Sequence, residues 1–178
     1  LGTSLSFELK KDRVPISNEG DWRKFSTNYP VGEVYVAPKE GTANGVAFVS
    51  SSKVLGETSL NKKPEKYFFE KGLFIKSSLK KLDKALVTIE KFNEENGVKN
   101  AHKKVRNFAE FAIGTNKKAS LIGIMVCDEK TYGTCHFALG SNKHFGGAVK
   151  CNGYSDHVIK NPSIWFDGKL IIDKGKLL

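Results

Sequence analysis

Residues 77–114, SSLKKLDKALVTIEKFNEENGVKNAHKKVRNFAEFAIG, occupy the middle third of a 178-residue chain and predict two consecutive amphipathic helices. In the first, Leu79, Leu82, Leu86, Ile89 and Phe92 recur at spacings of three and four with Ala85 beside them, making one apolar stripe. Ser77 or Ser78 can cap its start and Gly97 stops it, which places the helix at about 77–96. The second reads from Asn100 through Ala101, Val105, Phe108 and Ala112, with Phe111 and Ile113 widening the face and Gly114 ending it. That places it at about 100–113.

The charges on this block run against the helix dipole. Lys80, Lys81 and Lys84 crowd the positive end of the first helix, while Glu90, Glu94 and Glu95 lie toward its negative end. His102, Lys103, Lys104 and Arg106 repeat the inversion in the second helix, and Lys117 with Lys118 extend the patch. Residues 61–120 hold 15 Lys and Arg against 7 Asp and Glu, most of the chain's net charge of +10. Broken local rules concentrate at functional positions, and a helix start with free N–H groups suits a phosphate. Lys80, Lys81, Lys84, Lys103, Lys104, Arg106, Lys117 and Lys118 are therefore the expected contacts to a nucleic acid or another polyanion. A solvated basic face without a ligand is the competing account.

Outward from the block, the pattern turns to strands. Leu5, Phe7 and Leu9 alternate with polar residues, as do Val34 and Val36, and residues 45–50 form a further apolar run. Trp22 and Phe25 read as anchors to the core, and residues 51–64 as a polar connection. Tyr67-Phe68-Phe69 and Leu73-Phe74-Ile75 flank a glycine turn, a hairpin pattern. Residues 119–127 form the most apolar run and predict a central strand. Cys135, Phe137 and Leu139 then alternate, and Asp167-Gly168 joins two apolar runs in a second hairpin. The expected fold is α+β: a largely antiparallel sheet with the two helices packed on one face or end. Residues 1–178 read as one domain, β-rich over 1–76 and 119–178.

Composition narrows function by exclusion. Hydrophobic content of 39% and charged content of 27% describe a folded globular chain. No apolar run approaches the ~18–20 residues of a membrane span. An intact signal peptide is missing, although a chain beginning at Leu1 leaves a cleaved leader open. Three cysteines do not make a disulfide framework, so the expected setting is intracellular or virion-associated. Neither glycine-rich nucleotide loop is present. Cys127, Cys135, Cys151 and His157 are too widely spaced for a zinc motif, so neither metal nor cofactor is expected.

The leading expectation is a non-enzymatic nucleic-acid-binding protein, such as a viral structural or accessory RNA-binding protein. A second class is a metal-independent ribonuclease or toxin domain using His136, His144, His157, Lys143 and Tyr154, since paired imidazoles and a cation can cleave RNA. A third is a protein–protein or anionic membrane-surface module. Nothing in the sequence sets an oligomeric state.

Overall fold

The computed structural model describes residues 2–21 and 28–178, so Trp22 and Phe25 lie outside the described residues. The first half of the chain gives β1 (Ser4–Ser6), β2 (Ile16–Asn18), β3 (Glu33–Val36), β4 (Asn44–Val54), β5 (Glu57–Glu70) and β6 (Leu73–Ser77). The helices α1 (Lys80–Glu95) and α2 (Ala101–Val105) follow, then β7 (Phe108–Gly114) and the short α3 (Met125–Asp128). The chain closes with β8 (Thr134–Gly140), β9 (Tyr154–Lys160), β10 (Ile164–Phe166), β11 (Lys169–Asp173) and β12 (Lys176–Leu177).

Nine strands form one sheet in the order β2-β3-β7-β8-β9-β4-β5-β6, with β1 beside β4, and β10-β11-β12 form a small separate sheet. Every named strand pair is antiparallel. The chain is thus mostly antiparallel sheet with few helices, in keeping with α+β. A bridge between Leu73 and Asn107 brings the start of β6 against the start of β7, so the sheet curls back on itself. Inside that curl Tyr67, Phe69, Phe74, Phe108 and Phe137 pack edge-to-face or stacked at 5.2–6.0 Å. Helix α1 covers them with Leu82, Ala85 and Leu86, the middle of the stripe expected from its spacing, whereas Phe92 at its far end is exposed.

The second helix is where expectation and structure part. Helix α2 stops at Val105, and residues 108–114 form a strand paired on both sides, to β3 and to β8. A short apolar run covered on both faces has no periodicity that tells strand from helix. The pairing groups of β3 and β8 decided it. The two-helix packing is therefore replaced by one long helix, one turn and a half of a second, and a central strand.

Residues 119–127, expected as a central strand, instead turn into α3. The Asp128 carboxylate accepts the backbone N–H groups of Ile122 (2.7 Å) and Gly123 (3.1 Å), and Ile122 and Ile124 stay more than half exposed. Residues 51–64, read as a polar connection, belong to the long β4–β5 hairpin, whose turn has Leu55 and Gly56 at positive φ. Both hairpins expected from sequence are present. Asp167 (φ 47°) and Gly168 (φ 79°) supply the two left-handed residues a two-residue turn needs.

Candidate metal centre

The sheet face turned away from the aromatic core carries a row of polar side chains drawn from five neighbouring strands. They are Glu33 and Tyr35 on β3, Glu110 on β7, His136 on β8, Tyr154 and Asp156 on β9, and Lys53 on β4, all lining one cleft of about 490 Å³. The registers explain the assembly. Tyr35 pairs with Ala112 and Ala112 with His136, while Glu110 pairs with Ala138 and Ala138 with Asp156. Residues in register share a face, so two fully buried alanines sit between the polar groups and leave room for the cleft. A bulge at Ala109 shifts β7 between Phe108 and Glu110, which lets Phe108 enter the core while Glu110 turns to the cleft.

His136 stands at the centre, 1% exposed. Its Nε2 lies 3.3 Å from Glu110 Oε1 and 3.4 Å from Glu33 Oε2. Its Nδ1 is buried without a hydrogen-bond partner among the described residues. Lys130 donates to Glu33 (2.5 Å) and Glu129 (2.6 Å), and Tyr154 donates to Glu110 Oε2 (2.5 Å). Four buried carboxylates (Glu33, Glu110, Glu129 and Asp156) thus converge on one lysine and one imidazole.

Protonation reflects this surplus of negative charge. Burial would depress the His136 imidazole, but the hydrogen bond and charge of Glu110, with Asp156 and Glu33 beyond, push it up to about 9. Burial and the neighbouring Glu129 raise the Asp156 carboxyl well above the ordinary carboxylate range. A site that must protonate an imidazole and a carboxyl group to balance itself is suited to a cation.

Two overlapping triads have their donor atoms within 4.8 Å of one another: Glu33, Glu110 and His136, and Glu129, His136 and Asp156. Carboxylate oxygens with one imidazole suit zinc, manganese, cobalt or ferrous iron. The orphaned nitrogen, the crowded carboxylates and the donor chemistry all fit a divalent ion. Sequence spacing missed this site because its ligands come from β3, β7, β8, β9 and α3 with its following turn, never as a close pair. The legible signal was alternation around His136 and Asp156, read together with the acids at Glu33 and Glu110.

The fold and site therefore define a β-sheet protein with a carboxylate-rich cleft whose donor set fits a divalent ion. Residues 1–152 match the family model described as thermophilic metalloprotease (M29). The chain belongs to that family. No curated protein sequence matches it. Among solved structures, wild-type AmpT from Thermus thermophilus aligns over 100% of this chain and 48% of its own, with TM-score 0.71 and 18% identity. The 2,5-dihydroxypyridine dioxygenase from Pseudomonas putida KT2440 aligns over 85% of this chain and 45% of its own, with TM-score 0.62 and 20% identity. These likenesses are of fold, and the chain spans just under half the length of either structure.

The family overturns the leading expectation of a non-enzymatic nucleic-acid binder and, with it, the RNA-binding and viral assignments. The basic residues behind that expectation are scattered in their roles. Lys80, Lys81 and Lys84 lie on α1, Lys103 and Lys104 on α2, and Lys117 with Lys118 after β7, Lys117 over the Tyr132 ring. Arg106 is bound inward, donating to Glu90 Oε1 at 2.5 Å and lying over Phe74. The charge inversion between the two helices is in this part an internal ion pair.

Of the histidine set, His136, His144 and Tyr154 line the cleft, and Lys143 precedes His144 in a short 3-10 turn. His157 faces the other way, into the core against Tyr67, and burial pushes it down to about 3. No helix among the described residues is long and apolar enough to cross a membrane. Nothing supports a nucleic-acid partner or virion association.

Proposed function

We propose that residues 1–178 form one folding unit carrying the metal centre of a metal-dependent peptide-bond hydrolase. The observation that carries this is the convergence of Glu33, Glu110, Glu129, His136 and Asp156 in one cleft of a chain that belongs to a metalloprotease family. The two triads that share His136 would hold the metal. When bound, a divalent ion polarises the scissile carbonyl and acidifies water.

The chain's own groups do the rest. Lys130 holds Glu33 and Glu129 in place through charge-assisted hydrogen bonds, and Tyr154 fixes one Glu110 oxygen so that the other faces the cleft.

The test is direct. The full chain, stripped with chelator and dialysed, is titrated with zinc, manganese and cobalt by calorimetry and then assayed on a peptide library by mass spectrometry. Metal-dependent release of amino acids or fragments is expected, and lost on Glu33→Gln or His136→Ala. A protein that binds no divalent ion, or that binds one and leaves every peptide intact, overturns the proposal.

A further inference from the structure

Among the cations that line the cleft, Lys53 stands apart. Lys130 is committed to Glu33 and Glu129, and His136 is wedged between Glu33 and Glu110. His144 is an exposed ring against Phe145 and Tyr154. Lys53 is a half-buried residue of the cleft lining and makes no ion pair within 4.0 Å among the described residues.

Its position is fixed by register. Ser51 pairs with Val158 and Ser52 with His157, the last pair of that ladder, and the next residues on the two strands are Lys53 and Asp156. Cross-strand side chains sit about 5 Å apart at Cβ. The neighbours of Lys53 show that this is the cleft face. Ser52 bonds to Tyr67 in the core, whereas Ser51 bonds to Asp128 beside the cleft wall. The lysine's charge is felt at Asp156. A cation near these carboxylates that makes no ion pair within 4.0 Å among the described residues is available to a substrate.

We propose that Lys53 is the oxyanion-stabilising residue of peptide hydrolysis in this cleft, a role that rests on the hydrolase reading above. In that reaction the water oxygen adds to the carbonyl carbon and the C=O π pair moves onto the carbonyl oxygen. Collapse re-forms the C=O bond and breaks the C–N bond, and the leaving nitrogen takes up a proton that the water supplied. Negative charge is greatest on the carbonyl oxygen between these two events, and an ammonium placed in advance stabilises it more than it stabilises the neutral peptide.

The full chain is compared with Lys53→Met and Lys53→Arg variants in three measurements: steady-state cleavage of a peptide the parent hydrolyses, divalent-ion affinity by calorimetry, and affinity for the matching phosphonate peptide, a tetrahedral anion. Lys53→Met is expected to lower kcat about 10²–10³-fold, the range for loss of one oxyanion donor, with KM and metal affinity nearly unchanged. Phosphonate affinity should fall in step with kcat, and Lys53→Arg should restore part of both. Unchanged kcat in Lys53→Met overturns the proposal. So does a loss of metal affinity that tracks kcat while metal-saturated protein binds the phosphonate as before, since Lys53 would then act only through Asp156. Parent protein that binds metal but cleaves no peptide sinks the hydrolase reading itself, a result distinct from either.

Discussion

Asp156 illustrates the conflict built into this site. It is a buried carboxylate facing Glu110 and Glu129, and the charges of His136 and Lys53 offset that repulsion only in part. Such a group costs stability unless a cation compensates it. Asp156→Asn should therefore raise the melting temperature of chelator-treated protein while abolishing most of the upward shift that zinc or manganese gives the parent. Differential scanning fluorimetry with and without metal reads both effects, and equal melting behaviour in all four samples would show that Asp156 meets no cation. Ala112 and Ala138 are the complementary case. Leucine at either position would project into the cleft beside His136, and overpacking of this kind costs about 1–3 kcal/mol. Ala138→Leu is expected to remain folded by circular dichroism yet lose metal binding.

At the level of elements, the loop that carries His144 is fastened by one side chain outside the cleft. Glu40 Oε1 accepts hydrogen bonds from Asn142 Nδ2 (3.0 Å) and the Ala148 N–H (2.8 Å), and Arg13 pairs with its other oxygen at 2.6 Å. Burial alone would raise this carboxyl, but Arg13 and the Ala148 and Asn142 donors outweigh it and bring it down to about 2. A carboxyl depressed in the folded state contributes stability above its unfolded value near 4.3, lost as pH falls through about 2. Glu40→Gln should thus lower the melting temperature at pH 7 and flatten its fall between about pH 5 and pH 2. A parallel pair of melting curves across that window would show that the clamp contributes nothing. Helix α1 gives a simpler prediction. Leu86 is 2% exposed at the middle of its buried stripe, so Leu86→Ala should cost about 2–5 kcal/mol in urea unfolding.

Over the whole molecule, charge is divided by location. Most of the +10 excess belongs to residues 61–120, while the cleft is dominated by carboxylates. Lys80 and Lys81 are at the N-terminal end of α1, where the helix dipole favours acids. Reversing both to Glu should stabilise the fold by a few tenths of a kcal/mol per site. It should leave kcat/KM on peptide unchanged, because the pair sits on a helix that contributes nothing to the cleft lining. A large drop in activity would show that the basic face and the cleft act together.

The sequence by itself determined the parts whose stabilisation is local. Helix α1 was legible because its stripe, its terminal glycine and its length all lie within one segment, and both hairpins because their turns need residues the sequence names outright. The strand at 108–114 and the turn at 119–127 were not legible. Their conformations depend on partners distant in sequence: the open edges of β3 and β8 for the first, and Asp128 with its cap over Ile122 and Gly123 for the second. The candidate site was hidden for the same reason. Glu33, Glu110, His136 and Asp156 are far apart in sequence, and a bulge at Ala109 breaks the alternation that would have marked Glu110. Only the pairing of β3, β7, β8 and β9 puts Glu33, Glu110 and Asp156 around one imidazole, with Glu129 added from the turn after α3. Metal-ligand geometry depends on distance in space, and sheet register, not sequence spacing, sets that distance here.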